Sequence, residues 1–275
     1  MKSYARVLTI NLLAAILLFS ALPFSAAIAG AVEFDHRHAG YDALLKRFVA
    51  DGRVDYQGLK SDPAGLNHYL DSLAEISETT FKTWTESEQL AFLINLYNAA
   101  TLKLIINHYP VKSIKDIGSF FKGPWDQPVV ELYGKTITLD NLEHDIVRVQ
   151  YSEPRIHLAL VCAAKGCPTL RSEAYAADQL DARLDDQSRR FLASPAGLRI
   201  DRGGKVVYIS SIFKWYGKDF IDRFLPATGF SGLDKTERAV AHFSSGFLSA
   251  ADSDYLKSGG YSVKYLDYDW SLNEK

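Results

Sequence analysis

The two cysteines are the side chains of this sequence best suited to chemistry. Cys162 ends the apolar run RIHLALVC, and Cys167 follows it in the loop AAKGCP. A cysteine thiolate is a nucleophile and a metal ligand, two nearby thiols can form a disulfide, and a buried cysteine packs as a small apolar residue. The pair therefore allows four roles: a catalytic thiol, a disulfide, a metal site or ordinary core.

The loop position favours Cys167 as the reactive thiol, with Cys162 in reserve. We expect Cys167 to be exposed beyond the end of a strand, where the first backbone N–H groups of the next helix, Lys165 and Arg171 favour a thiolate. Cys162 is predicted to end the strand and to pack in the core. Since an exported protein meets oxidising conditions, a Cys162–Cys167 disulfide remains an open alternative.

A thiol nucleophile needs a base and a group that orients the base. His144 and His157 are the nearest candidates in the sequence. Side chains alternate along a strand, so His157 and Cys162 are predicted to point to opposite faces. His144 lies on a predicted helix, LEHDIVR, from which it could reach the edge of a cleft. A core role for His157 and a surface role for His144 stay open.

Two asparagines of the longest predicted helix could orient such a histidine. Asn95 and Asn98 share one face of an otherwise apolar helix with Glu88. Because buried amides must find hydrogen-bond partners, these side chains either pin loops to the helix or line a pocket. Asn95 and Asn98 are therefore candidate orienting residues for a catalytic base.

No metal or cofactor site is expected. His157, Cys162 and Cys167, with His144, contain the right atoms for zinc, but the sequence has neither C-x₂-C nor H-E-x-x-H spacing. Nucleotide-binding glycine motifs and the G-x-S-x-G nucleophile motif are also missing from the sequence. The aromatic segments GPWDQP, IFKWYGKDF and YLDYDWSLN could form a ligand platform, although core packing is the simpler interpretation.

The pattern along the chain predicts a single α+β domain. TESEQLAFLINLYNAATLKLIINHYP is the strongest helix, capped by Thr85 and Glu88 and ended by Pro110, and it is apolar nearly all round. We expect this helix to be buried at the centre, with surrounding helices and a small, mostly antiparallel sheet. VVELYGKTITL and LRIDRGGKVVYIS are predicted hairpins and RIHLALVC a buried strand. DNLEHDIVRVQ is predicted to be a helix with Leu142, Ile146 and Val149 facing inward.

The first residues predict export. A basic start with Lys2 and Arg6 precedes a long apolar run, and Ala27 and Ala29 fit a cleavage pattern before Gly30. Residues 1–29 are thus predicted to be a signal peptide and 30–275 the domain, in the periplasm or secreted. No later segment is expected to cross a membrane, so no stable membrane insertion is expected after cleavage. The formal net charge of −2 argues against nucleic-acid binding.

Several long segments, in order, resemble the DUF547 family in its exported bacterial form. They are FVADGRVDYQGLK, LAFLINLYNAATL, GKTITLDNLEHDIVR, RIHLALVCAAKGCPTLRSEAY, IFKWYGKDF and YLDYDWSLN. The resemblance implies one domain over nearly the whole of 30–275. It implies no catalytic residues, because the family has no established activity.

Two functional hypotheses follow from these residues. The first is a thiol-dependent hydrolase or acyl transferase acting on a peptide, amide or ester, with Cys167 as nucleophile, His144 or His157 as base and Asn95 or Asn98 as orienting residue. The second is a non-catalytic envelope binding or assembly module, in which Cys162 and Cys167 form a structural disulfide. In both hypotheses the ligand is a small molecule or a peptide.

Overall fold

The central element is a long apolar helix, α5 (Glu86–His108), as the sequence predicts. The structure is a computed structural model that describes residues 34–119 and 121–275, and the predicted signal peptide lies outside these residues. The predicted capping box is present: the Thr85 amide donates to Glu88 Oε2 at 2.8 Å, and the Glu88 amide donates to Thr85 Oγ1 at 3.3 Å. This cap satisfies two backbone N–H groups that the first helical turn leaves without partners.

By length and composition alone α5 could span a membrane, contrary to the sequence expectation. Its apolar window has a mean hydropathy of 1.4, and 89% of that window is buried inside the domain. Side chains from Leu90 to Ile106 are mostly inaccessible. Because neighbouring elements surround the helix, its apolarity is explained by the core that it forms.

Shorter helices pack around α5 over Asp35–Lys275, which forms one compact unit. The remaining α-helices are α1 (Ala39–Phe48), α2 (Tyr56–Ser61), α3 (Ala64–Ala74), α4 (Glu78–Phe81), α6 (Arg148–Gln150), α7 (Leu180–Ala193), α8 (Ser211–Tyr216), α9 (Ile221–Phe224), α10 (Lys235–Ser245) and α11 (Ala250–Ser258). Five 3₁₀ turns are found in the described part of the chain: Ile114–Asp116, Pro124–Asp126, Pro154–Leu158, Ala177–Gln179 and Gly217–Phe220.

The described strands form three small sheets. They are β1 (Val49–Ala50) with β2 (Arg53–Val54), β3 (Pro128–Leu132) with β4 (Lys135–Thr138), and β5 (Leu198–Asp201), β6 (Val206–Ile209) and β7 (Ser262–Tyr265) in that order. Both predicted hairpins, β3–β4 and β5–β6, are present. All pairings are antiparallel except β6–β7, which is parallel. The prediction of an α+β domain with a buried central helix is confirmed.

The predicted strand RIHLALVC is wrong. Residues Pro154–Leu158 form a 3₁₀ turn, and the amides of Ala159 and Leu160 both donate back to the carbonyl of Ile156 at 2.8 and 2.9 Å. The run is buried, as its composition predicts. However, its backbone partners come from the same turn and from a side chain of α5, so no neighbouring strand is needed.

The predicted helix before this turn is also irregular. Residues Asn141–Val147 are π-helical and run directly into α6. The wider π turn changes which side chains share a face. Leu142 and Val147 are therefore buried, whereas Val149, predicted to face inward, is 73% exposed.

The two asparagines of α5 pin loops to the helix. Asn98 is 3% exposed; it donates to the carbonyl of Ala159 at 3.0 Å and accepts from the amide of Val161 at 2.8 Å. Asn95 binds both backbone groups of Tyr175 in the same way, at 2.7 and 3.0 Å. Each amide replaces the backbone partner that a sheet would supply, and neither contacts a histidine.

We expect Asn98→Ala to lower the free energy of unfolding by about 2–6 kcal/mol. The substitution leaves the buried carbonyl of Ala159 and amide of Val161 without partners, at about 1–3 kcal/mol each. Urea denaturation monitored by circular dichroism measures the change. The matched control is Asn67→Ala, which removes a half-buried partner of Lys103 and should cost less than about 1 kcal/mol. Equal losses in the two variants would contradict the pinning role.

Candidate active site

A cleft lined by both cysteines and several aromatic rings lies beside the Asn98-pinned turn. Its interior volume is about 70 Å³, enough for several water molecules. Its lining residues come from widely separated parts of the chain: Tyr97, Trp125, Glu143, His157, Leu160, Cys162, Cys167, Ile212, Trp215, Tyr216, Tyr268 and Trp270. We call this the cysteine cleft.

The two thiols are in direct contact at the base of the cysteine cleft. Their sulfur atoms are 3.0 Å apart, and both cysteines are free. A covalent disulfide would need about 2.05 Å. The backbone amide of Cys162 also donates to Cys167 Sγ at 3.0 Å, and Cys162 Sγ lies 3.0 Å from the hydroxyl of Tyr268. Cys162 Sγ therefore has two polar neighbours that can stabilise a thiolate.

The surroundings push the pKa values of the two thiols apart. The hydrogen bond with Cys167 lowers the pKa of Cys162, outweighing the effect of burial, and hydrogen bonds with the Tyr268 hydroxyl and the Ala164 amide lower it further. Burial, followed by the neighbouring Cys162, raises the pKa of Cys167 well above its ordinary value. Burial also raises the pKa of Tyr268, so its hydroxyl remains a donor. Cys162 is therefore the thiol of the pair that loses its proton first.

The two cysteines have the opposite exposures to those that the sequence predicts. Cys167, expected to be exposed, is 6% exposed, and Cys162, expected in the core, is half-buried and reaches the cleft. No helix begins beside Cys167, since the next helical turn in the described chain starts at Ala177. Arg171 points elsewhere and pairs with Asp186 at 2.6 Å. The proposed activation of Cys167 by a helix start and Arg171 is therefore wrong.

The C-terminal tail holds the cysteine loop in place. The amides of Lys165 and Gly166 donate to the carbonyls of Ser271 and Asp269 at 2.9 and 2.8 Å, and the amide of Asn273 donates to Ala163. A Cβ on Gly166 would lie 2.8 Å from the Asp269 nitrogen, so only glycine allows this approach. The same tail carries Tyr268 and Trp270 into the cysteine cleft.

His157 forms part of the cleft wall and is held from two sides. Its Nε2 lies 2.7 Å from Asp219 Oδ2, and its ring stacks on Tyr216 with centroids 4.1 Å apart. Its Nδ1 lies 3.8 Å from Glu143 Oε1, beyond hydrogen-bond distance. Among the described residues, Nδ1 has no hydrogen-bond partner. The expectation that His157 and Cys162 point apart is wrong, because the turn replaces the strand and both line one cleft.

Asp219 is itself fixed as a carboxylate. Arg148 binds it with two hydrogen bonds, Nε to Oδ2 at 2.8 Å and Nη2 to Oδ1 at 2.9 Å. Burial alone raises the pKa of Asp219, but the hydrogen bonds from His157 and Arg148 outweigh it and hold the pKa well below its ordinary value. The imidazole therefore has a permanent anionic partner that sets its orientation.

His144 and the asparagines take other positions. His144 Nδ1 lies 2.8 Å from Arg148 Nη1, and His144 is absent from the described residues that line the cysteine cleft. Asn95 and Asn98 bond only to backbone in the contacts described above. Asn98 acts indirectly, because the segment that it pins joins His157 to Cys162. The described residues contain no group of three or more His, Cys, Asp or Glu side chains that could hold a metal ion.

Sequence reasoning missed the residues that complete the cleft. Trp125, Trp215 and Trp270 come from the three aromatic segments, for which core packing was preferred, and all three rings reach the cleft. Trp215 is 46% exposed, which does not fit a core role. Asp219 also lies in one of these segments. The high density of aromatic and acidic residues could have indicated a binding site in these segments. Nothing in the sequence predicted that the segments would lie beside the cysteines.

We expect iodoacetamide to modify Cys162 before Cys167 in the reduced protein. Because the pKa of Cys162 is lowered, its thiolate persists to lower pH than that of an ordinary cysteine, so alkylation should remain fast there. Cys167→Ala removes the hydrogen bond that lowers this pKa most, and the rate–pH curve should move to higher pH. Mass spectrometry after timed alkylation identifies the site and gives the rate.

Tyr268→Phe should move the same curve in the same direction, since it removes a second donor to Cys162. Tyr265→Phe is the matched control on the exposed strand β7 and should leave the curve unchanged. Faster modification of Cys167, or a curve that Cys167→Ala does not move, would contradict the assignment of the thiolate.

Comparison with known proteins supports the family resemblance. Residues 81–192 match the family described as "Protein of unknown function, DUF547". No curated protein and no solved structure gives a significant match to the chain. The matched range contains α5, His157 and both cysteines, whereas Tyr216, Asp219 and Tyr268 follow it. The match over residues 81–192 supports the DUF547 resemblance for this part of the chain.

Proposed function

We propose that the protein is a thiol-dependent hydrolase or acyl transferase that acts on a peptide, amide or ester. The observation that carries this proposal is the half-buried Cys162 thiol, with a lowered pKa, in the same cleft as the Asp219-bound His157. Cysteine nucleophiles of this kind work with a histidine and a residue that orients it. The likeness is one of residue types and their shared cleft, and the family match adds no activity.

Cys162 is the proposed nucleophile, in place of Cys167. It is the thiol that reaches the cleft, and Cys167 and Tyr268 stabilise its anion. In the first step Cys162 Sγ attacks the carbonyl carbon, the carbonyl π electrons move to oxygen, and collapse of this intermediate expels the leaving group. The product of this half-reaction is a thioester on Cys162.

His157 is the proposed acid and base. Asp219 occupies Nε2, and Nδ1 is buried without a hydrogen-bond partner, so Nδ1 is the nitrogen left to give a proton to a leaving group that reaches it. The same nitrogen then takes a proton from the water or amine that attacks the thioester and restores the Cys162 thiolate. Arg148 and Asp219 are positioning residues, since they act on the substrate only through the imidazole.

We expect Cys162→Ala to abolish labelling by a cysteine-directed vinyl sulfone or acyloxymethyl ketone probe without lowering the melting temperature. The matched control, Cys167→Ala, should still be labelled, more slowly at a given pH. His157→Gln should slow labelling while leaving both thiols countable. Gel fluorescence and mass spectrometry of the reduced, purified domain measure each result. Labelling that survives Cys162→Ala, or a wild type that stays unlabelled, would contradict the proposal.

A second candidate is a non-catalytic envelope binding or assembly module with a Cys162–Cys167 disulfide. The observation that favours it is the 3.0 Å distance between the two sulfur atoms, from which a small movement would allow a bond. Oxidation would remove the nucleophile and leave the aromatic cleft as a binding site. An oxidising compartment, which the predicted signal peptide implies, would favour this state.

A thiol count separates the two candidates. We expect two free thiols per chain, measured with Ellman's reagent in denaturant on protein purified from the periplasm without reductant, if the protein is a thiol enzyme. Zero thiols would support the disulfide module and contradict the enzyme. Cys167→Ala gives the reference value of one thiol.

A further inference from the structure

We propose that the group recognised in the cysteine cleft is a positively charged alkylammonium carried by the substrate. This inference deepens the proposed function by giving the chemical class of the ligand, and rests on it only in treating the cleft as the substrate site. Three features of the cleft carry it: a set of converging tryptophans, a buried carboxylate, and a lining without lysine or arginine among the described residues.

Three of the four tryptophans of the chain converge on the cleft. The Trp270 ring centroid lies 5.8 Å from that of Trp125 and 5.9 Å from that of Trp215. Tyr268 joins them, 4.5 Å from Trp270 and 5.0 Å from Trp215. Rings from three distant segments thus pack against one another on the cleft lining. Indole faces attract cations through their quadrupole, and clusters of such faces bind ammonium groups.

A carboxylate lies on the same lining. Glu143 is 8% exposed, and the hydroxyl of Tyr216 is its hydrogen-bonded neighbour. The nearest ring nitrogen, His157 Nδ1, is 3.8 Å away, too far for a hydrogen bond. A buried carboxylate is costly unless charge or hydrogen bonds compensate it. Tyr216, Arg148 and His157 supply part of this compensation, and an ammonium group in the cleft would add to it.

The other charged or ionisable groups beside the lining have partners within the protein. Cys162 is the thiol whose pKa is lowered, chiefly by its hydrogen bond with Cys167. Arg148 lies 5.1 Å from the Tyr216 ring centroid and binds Asp219 with two hydrogen bonds. The ammonium of Lys115 lies 4.1 Å from the Trp270 ring centroid, which shows that this ring accepts a cation. Among the described residues the cleft lining contributes the Glu143 carboxylate and no lysine or arginine, so a cationic ligand would find a complementary partner there.

Binding of a charged probe against its neutral isostere tests the proposal. The protein is the full domain with Cys162→Ser, which removes the proposed nucleophile, and the probes are n-butylammonium and 1-butanol at constant ionic strength. We expect n-butylammonium to bind at least about tenfold more tightly, as cation–π and carboxylate contacts predict. Tryptophan fluorescence and calorimetry measure both affinities. Equal affinities, tighter binding of the alcohol, or no binding of either probe would overturn the proposal.

Paired variants locate the site. Glu143→Gln and Trp270→Leu should each weaken n-butylammonium binding several-fold and reduce the preference over 1-butanol. Glu131→Gln, on the exposed hairpin strand β3, is the matched charge control and should change neither value. Unchanged affinity in both cleft variants would overturn the assignment. The binding test does not depend on a reactive thiol. If the cysteine probe fails to label the wild type but n-butylammonium still binds more tightly than 1-butanol, only the proposed chemistry is contradicted. If the probe labels Cys162 but the two ligands bind equally, only the ammonium site is contradicted.

Discussion

The buried amide of Asn98 is the interaction on which the site depends. It lies on the central helix and holds both backbone groups of the segment Ala159–Val161, at 3.0 and 2.8 Å. That segment has no strand beside it, so the amide provides the partners that a sheet would otherwise supply. With this pin in place the chain turns between His157 and Cys162, and the imidazole and the thiol line one cleft.

A second constraint makes the two thiols different. The tail residues Asp269–Asn273 bond the loop between the cysteines along its backbone, which buries Cys167 and leaves Cys162 at the cleft. Desolvation keeps Cys167 protonated, and a protonated neighbour stabilises the Cys162 anion. The two side chains are chemically identical, yet Cys167 keeps its proton and Cys162 is the one that can become a thiolate. The asymmetry comes from packing, because the two residues have the same intrinsic pKa.

The site also extends beyond the part of the chain that matches the family. Residues 81–192 contribute the central helix, Glu143, His157 and the thiols, whereas Trp215, Asp219 and Trp270 come from later segments. The later segments supply most of the aromatic wall and the partner that orients the imidazole. The proposed chemistry and the proposed ammonium recognition thus draw on different parts of the sequence that meet at one opening.

The sequence by itself determined the local structure. Apolar periodicity and the Thr85–Glu88 cap were enough for α5, and glycine turns between alternating residues were enough for both hairpins, because these signals act within a few residues. It also singled out Cys162, Cys167, His157 and the two asparagines as unusual for their surroundings. A long apolar run such as RIHLALVC, however, predicts that the segment is buried but does not predict which groups form hydrogen bonds with its backbone.

Only the tertiary structure decided what those residues do. Long-range packing decides whether a thiol is exposed and which way an imidazole faces. It also decides that Tyr268 and Asp219 contact residues far away along the chain. That is why the exposures of Cys162 and Cys167 were predicted in reverse, and why the aromatic segments were assigned to the core. The spacing of residues along the chain predicts which side chains are neighbours within one helix or strand. A cleft is formed by contacts between distant elements, and the spacing within each element does not predict those contacts.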